Sequence, residues 1–174
     1  MASRNSSVAE LAEVVGGRIL GDPSVTVRDV THDSRQAGPG TMFAAVVGSR
    51  VDGHDFVEAA VAAGSPAVLV QRECPTGATQ LLVDDVRRAM GPVAAQIHGH
   101  PSRRLALVGV TGTNGKTTVT HMVESIGNAD GKKVGLIGTV HTRIGSTSIP
   151  NTRTTPEATD FQRLLATMVR MGAE

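Results

Sequence analysis

The chain has 174 residues, a formal net charge of +1, and only three Phe with neither Trp nor Tyr. Such a balance supplies no basic field for a polyanion and no aromatic platform for stacked bases, so it argues against nucleic acid as a partner. Cys74 is the sole cysteine, which excludes an intrachain disulfide or thiolate cluster, and no apolar stretch suits a signal core or a bilayer span. A cytoplasmic, membrane-free monomer is the expectation.

Ser6 or Ser7 can cap a helix over residues 8–15, which Gly16-Gly17 would stop. Residues 25–30 alternate like a half-buried strand, Pro39-Gly40 marks a turn, and residues 42–47 read as a second strand. A helix over 55–63 ends at Gly64, and 67–70 and 80–83 are two further strands. Residues 86–98 read as a helix weakened by Gly91 and Pro92. The pattern breaks at Gly99-His100-Pro101-Ser102, where we place a boundary between a domain over 1–101 and a second unit over 102–174.

The second unit opens with the apolar run Leu105-Ala106-Leu107-Val108-Gly109-Val110, which reads as a buried strand. Helical spacing of apolar residues follows over 119–126. Between them lies Thr111-Gly112-Thr113-Asn114-Gly115-Lys116-Thr117-Thr118. A loop joining a strand to a helix start offers unpaired N–H groups and a positive dipole end to phosphate. Gly112 and Gly115 let backbone donors approach, Lys116 brings a catalytic cation to the β/γ-phosphates, and the Thr117 hydroxyl suits Mg²⁺. The general phosphate-loop pattern places a glycine where this chain has Val110, so the motif is a variant with its glycine at 112. A glycine turn with a solvated lysine is the plain alternative. Residues 133–137 are expected as a parallel strand completing a βαβ unit, followed by a polar loop with short strands and a helix over 156–171. One such unit covers only one face of a small sheet, so the chain reads as the N-terminal piece of a longer protein.

Three segments of the first domain resemble the Mur ligase family: Asp33-Ser34-Arg35, the stretch from Pro39 to Gly48, and Asp52-Gly53-His54-Asp55-Phe56. Val110 to Thr118 resembles the family's ATP loop, including its departed glycine. Lys133 to Thr139 and Thr154-Thr155-Pro156-Glu157-Ala158 look most like the members that add the third residue of the stem peptide.

The resemblance implies an α/β protein, with a small N-terminal α/β domain followed by the start of a P-loop parallel-sheet ATPase domain. It implies ATP-dependent amide formation in peptidoglycan precursor synthesis with Mg²⁺, joining a diamino acid to UDP-N-acetylmuramoyl-L-alanyl-D-glutamate through an acyl phosphate. Gly112, Thr113, Asn114, Gly115, Lys116, Thr117 and Thr118 would hold ATP. His32, Ser34, Ser49, Arg50 and Val51 match the uridine pocket, and Thr154 and Thr155 match a pair that contacts the UDP-muramoyl substrate. Arg153 stands where related enzymes can carry Asn, and its guanidinium could meet an anion. Alone, this polypeptide is expected to be inactive.

Each residue has a plainer competitor. Ser34 could cap a turn, His32 could be an ordinary packed histidine, Asp52-Gly53-His54 could only place the next helix, and Thr154 with Pro156 could only start one. The alternatives for the whole are a D-alanyl-D-alanine-adding Mur ligase or a non-catalytic UDP-sugar or nucleotide-binding module. A GTPase-like switch is disfavoured by the departed loop and the lack of a guanine-reading motif.

Overall fold

The computed structural model describes residues 5–138, 142–149 and 156–174. Ser7 opens helix α1 (Val8–Val15): its hydroxyl accepts from the Glu10 N–H at 3.2 Å, and the Glu10 carboxylate accepts from the Ser7 N–H at 3.0 Å. This reciprocal cap decides between the two serines. Gly16, at φ 64°, ends the helix in the left-handed conformation.

The main sheet contains β2 (Arg18–Leu20), β4 (Asp29–Thr31), β5 (Thr41–Ala44), β6 (Ala67–Val70) and β7 (Thr79–Leu82), in the order β2-β7-β6-β5-β4. The last four run parallel, and β2 closes the edge antiparallel to β7. Strand alternation sorts their side chains onto two faces. Met42, Ala44, Ala67, Leu69 and Leu81 pack against α1 and α3 (Val86–Ile97). Phe43, Ala45, Val68 and Val70 pack against Val57 and Ala60 of α2 (Val57–Ala62) and against Cys74. Both faces are therefore covered, which explains the continuous apolar runs that parallel strands carry.

Helix α3 survives its internal proline. Val86, Ala89, Met90, Val93, Ala94 and Ile97 are buried at helical spacing, while Pro92 and Arg88 face outward. The Arg88 carbonyl that proline deprives of a partner can thus meet water, and burial offsets the roughly 3 kcal/mol cost.

Several expectations change. The strand over 25–30 splits in two, because the N–H groups of both Arg28 and Asp29 donate to the Gly40 carbonyl, at 2.8 and 3.3 Å. Its first half, β3 (Thr26–Val27), pairs instead with β1 (Ser6–Ser7). The helix read over 55–63 begins as a 3-10 turn at Gly53–Phe56 and becomes α-helical only at Val57. Strand β2 was not expected at all.

The second unit departs furthest. Residues 105–110 pair with no strand among the described residues, and Leu107 and Val108 are 54% and 64% exposed. Strand β8 (Gly135–Ile137) is antiparallel, pairing with β9 (Thr142–Ile144), which forms a hairpin with β10 (Thr147–Ile149). The expected βαβ unit is thus not closed: a parallel ladder needs a neighbour that the described residues do not supply. Helix α4 (Lys116–Ala129) starts before the apolar run at Val119 and extends past Ile126. Helix α5 (Ala158–Arg170) leaves Pro156 outside its first turn, with Glu157 at the cap position. It packs across the expected boundary, against α3 and β4, and buries Leu165 and Met168 beside Ile144. Among the described residues no helix is long and apolar enough to cross a membrane.

Candidate nucleotide and substrate site

The glycine loop over residues 111–118 lies where chain direction predicts, at the start of α4. Gly112 has φ 144° and Gly115 has φ 78°, conformations that L side chains rarely adopt. Gly115 is the cap of α4, and no side chain caps that end. The first turn holds no acidic residue, so the dipole's positive end is left for an external anion. Lys116 Nζ turns back and donates to the Gly112 carbonyl and, at 3.4 Å, to that of Thr113. The ammonium therefore sits over the loop's own backbone, where a phosphate could exchange for the carbonyls. Thr113, Asn114, Thr117 and Thr118 are all exposed.

The uridine-side candidates sit at the carboxyl ends of parallel strands, where ligands of open α/β sheets gather. His32 and Ser34 follow β4. Ser49, Arg50 and Val51 form an exposed turn after β5, closed by Gly48 N–H donating to the Val51 carbonyl at 3.0 Å. Asp33, rather than Ser34, caps the short 3-10 turn, since its carboxylate accepts from Arg35 N–H at 3.1 Å. The Ser34 hydroxyl is thus not consumed by the cap. The Arg35 guanidinium holds the Asp33 carboxyl down at about 2.

Helix α5 meets this same edge. His32 Nδ1 lies 3.1 Å from Thr159 Oγ1, and the Thr159 side chain is fully buried. Arg153, Thr154 and Thr155 lie outside the described residues. Thr159, a few positions beyond them in the chain, is brought against His32 all the same.

An ionic seam that sequence reasoning missed fixes α5 there. Arg163 donates to both Asp29 oxygens, with Nε at 3.1 Å from Oδ2 and Nη2 at 3.1 Å from Oδ1, and to the Val30 carbonyl at 2.9 Å. His98 Nε2 lies 3.3 Å from the same carboxylate. Burial works to raise the Asp29 pKa, but His98 and Arg163 outweigh it and bring it to about 2. Arg87 of α3 pairs with Glu157 at 3.0 Å. Partners 134 positions apart leave no periodic trace in a sequence. Glu124 was missed as well. It is the buried residue of α4, held by Arg143 of β9 through both carboxylate oxygens and by His121 at 3.2 Å. Burial opposes its ionisation, yet Arg143 and then His121 lower its pKa. The i,i+3 spacing of His121 and Glu124 was its only sequence signal.

Two family models match the chain: "Mur ligase family, catalytic domain" over residues 26–98, and "Mur ligase middle domain" over residues 110–174. The chain is 46% identical over 172 residues to the UDP-N-acetylmuramoyl-L-alanyl-D-glutamate–2,6-diaminopimelate ligase of Streptomyces coelicolor, covering 96% of this chain and 34% of the relative. A solved structure of a ligase of that name superposes with a TM-score of 0.79 at 25% identity, over 98% of this chain and 34% of the other. MurF from Acinetobacter baumannii superposes with a TM-score of 0.63 at 29% identity, over 80% and 30%. The chain spans about a third of the length of the curated relatives it matches. The parallel sheet with helices on both faces, the glycine loop at the start of α4 and these matches agree: the chain belongs to the Mur ligase family.

Proposed function

We propose that this chain supplies the UDP-substrate side and the ATP loop of a ligase that adds a diamino acid to UDP-N-acetylmuramoyl-L-alanyl-D-glutamate. The observation that carries the reading is the uncapped start of α4, where two positive-φ glycines and Lys116 would cradle phosphate. It stands in a chain 46% identical to a relative whose name states that substrate and 2,6-diaminopimelate. On this reading residues 1–101 form the UDP-muramoyl domain and 102–174 the start of the ATP domain, and the setting is the cytoplasm.

The donor set fits ATP. Backbone N–H groups of residues 112–118 would hold the phosphates, and Lys116 would neutralise charge that grows during phosphoryl transfer. Mg²⁺ would rest on the Thr117 hydroxyl and on phosphate oxygens. Such a placement accords with the preference of Mg²⁺ for few protein ligands beside substrate phosphates. When bound, the metal supplies charge neutralisation at the phosphates. The chemistry requires a better leaving group on the glutamyl carboxylate. Phosphorylation by ATP provides one, and attack by the diamino acid's amine then gives the amide, ADP and phosphate. His32, Ser34, and Ser49 to Val51 would hold the uridine diphosphate, with Arg153, Thr154 and Thr155 on the muramoyl side. Remote binding of that handle would orient the reacting end.

The test is a chimera in which this chain replaces the matching third of the Streptomyces coelicolor relative. With ATP, Mg²⁺, the UDP-muramoyl dipeptide and 2,6-diaminopimelate, it should release ADP together with a tripeptide product detected by mass. ADP release without amide, by a folded chimera, would contradict the assignment.

A further inference from the structure

The turn that carries Ser49, Arg50 and Val51 is exposed. Beneath it lies an ordered base. Val47 and Asp52 pair as an antiparallel bridge, and Gly53 N–H donates to the Val46 carbonyl at 2.9 Å. A Cβ on Gly53 would lie 2.5 Å from Val46 N and 2.6 Å from Val46 O, so backbone meets backbone there and only glycine fits.

The Asp52 carboxylate ties this base to the sheet. Its Oδ1 accepts from His54 N–H at 2.9 Å and from His54 Nδ1 at 2.6 Å, while Oδ2 accepts from Arg72 Nη1 at 2.9 Å. On the other side of the ring, His54 Nε2 accepts from the Gln71 backbone N–H at 3.0 Å. Gln71 and Arg72 directly follow β6. A backbone N–H can only donate, so the ring proton belongs on Nδ1, facing Asp52. The ring is 2% exposed and both nitrogens are engaged, which leaves neither for acid–base chemistry. What the network can do is hold geometry.

We propose that Asp52 and His54 are positioning residues that set the 48–51 turn against the carboxyl end of β6, and so determine affinity for the uridine diphosphate handle. This rests on the assignment of that turn to the uridine side. The physical need is general: an exposed recognition turn holds a ligand well only when a second layer of hydrogen bonds fixes its frame. Asp52 and His54 supply that layer without touching the ligand. The Arg72 link adds a charge-assisted bond at the surface, worth less than the buried ring contacts.

The experiment is calorimetric titration of the protein with UDP and, separately, with ATP, for wild type, Asp52→Asn and His54→Phe. Hydrogen exchange at the Gly48 and Gly53 amides is read in parallel, all well below the melting temperature. Ser49→Ala and Arg50→Ala serve as direct-contact controls. The expected result is a loss of about tenfold in UDP affinity in both network variants, with ATP affinity unchanged and faster exchange at both amides. If His54→Phe does not fold, Asp52→Asn, whose side chain reaches the surface, carries the same comparison. Unchanged UDP affinity in a variant whose turn amides exchange faster would overturn the positioning role and leave the uridine assignment standing. UDP affinity indifferent to Ser49→Ala and Arg50→Ala as well would remove the uridine assignment and the proposal with it.

Discussion

Lys116 shows how far one residue could be read. Its place after Gly115 and before Thr117 gave it a phosphate role, and the structure puts its ammonium on the loop carbonyls of Gly112 and Thr113. Those bonds are exposed, so they add little to stability. Lys116→Ala should lower ATP affinity by about tenfold or more while moving the folding free energy by only about 0.5 kcal/mol. Titration with ATP beside a melting curve checks both, and unchanged ATP affinity would remove the lysine from the site. Cys74 offers a second check. It is 8% exposed beside Val68 and Val70, and burial pushes its thiol pKa up. Its alkylation by iodoacetamide at neutral pH should be slower than that of a free thiol. A faster reaction would show an activating environment that the structure does not contain. Single residues were legible where a local rule applied, as with the cap expected at Ser6 or Ser7, which the structure places at Ser7. They were illegible where the partner lay far along the chain, as with Asp29 and Arg163.

At the scale of elements, the helices with complete local signals were readable. Helix α1 carries a cap, an apolar stripe and a terminal glycine, and α3 kept its stripe despite Pro92. Strands were less so. The break at Arg28 is set by the Gly40 carbonyl, and β2 earns its place only by pairing with β7. Neither cause is local. The run over 105–110 has every strand signal yet finds no partner among the described residues, because a ladder is a property of two segments. The docking of α5 was equally hidden, and it yields a pH prediction. The Asp29 pKa is about 2, below that of an ordinary aspartate. A depressed carboxyl adds stability above its unfolded pKa and loses it as pH falls through the folded value. The Asp29–Arg163 contribution should therefore be complete above about pH 4 and decline toward pH 2. With partial exposure it is on the order of 1 kcal/mol. Arg163→Met leaves His98 beside the carboxylate, so it should remove part of that pH dependence in denaturant midpoints measured between those limits. An unchanged acid profile would mean that Arg163 contributes nothing to it.

For the whole molecule, the two halves differ in how well they are built. The sheet from β4 to β7 is covered on both faces, so the turns at its carboxyl edge stand on a rigid frame. The glycine loop proposed for ATP stands on an exposed run and on a helix whose Val119, Met122 and Ile126 face outward. Backbone donors need a fixed frame to stay aimed, and Lys116 counts for less in a solvated site. For the polypeptide of these 174 residues, affinity for the UDP handle should therefore exceed affinity for ATP. Calorimetric titration of the purified protein with UDP-N-acetylmuramoyl-L-alanyl-D-glutamate and with ATP is the direct measurement. Measurable binding of the UDP-muramoyl dipeptide is expected, weakened by Arg50→Ala and indifferent to Lys116→Ala, with ATP bound more weakly. Tight ATP binding by a folded protein with no measurable affinity for the UDP-muramoyl dipeptide would contradict it.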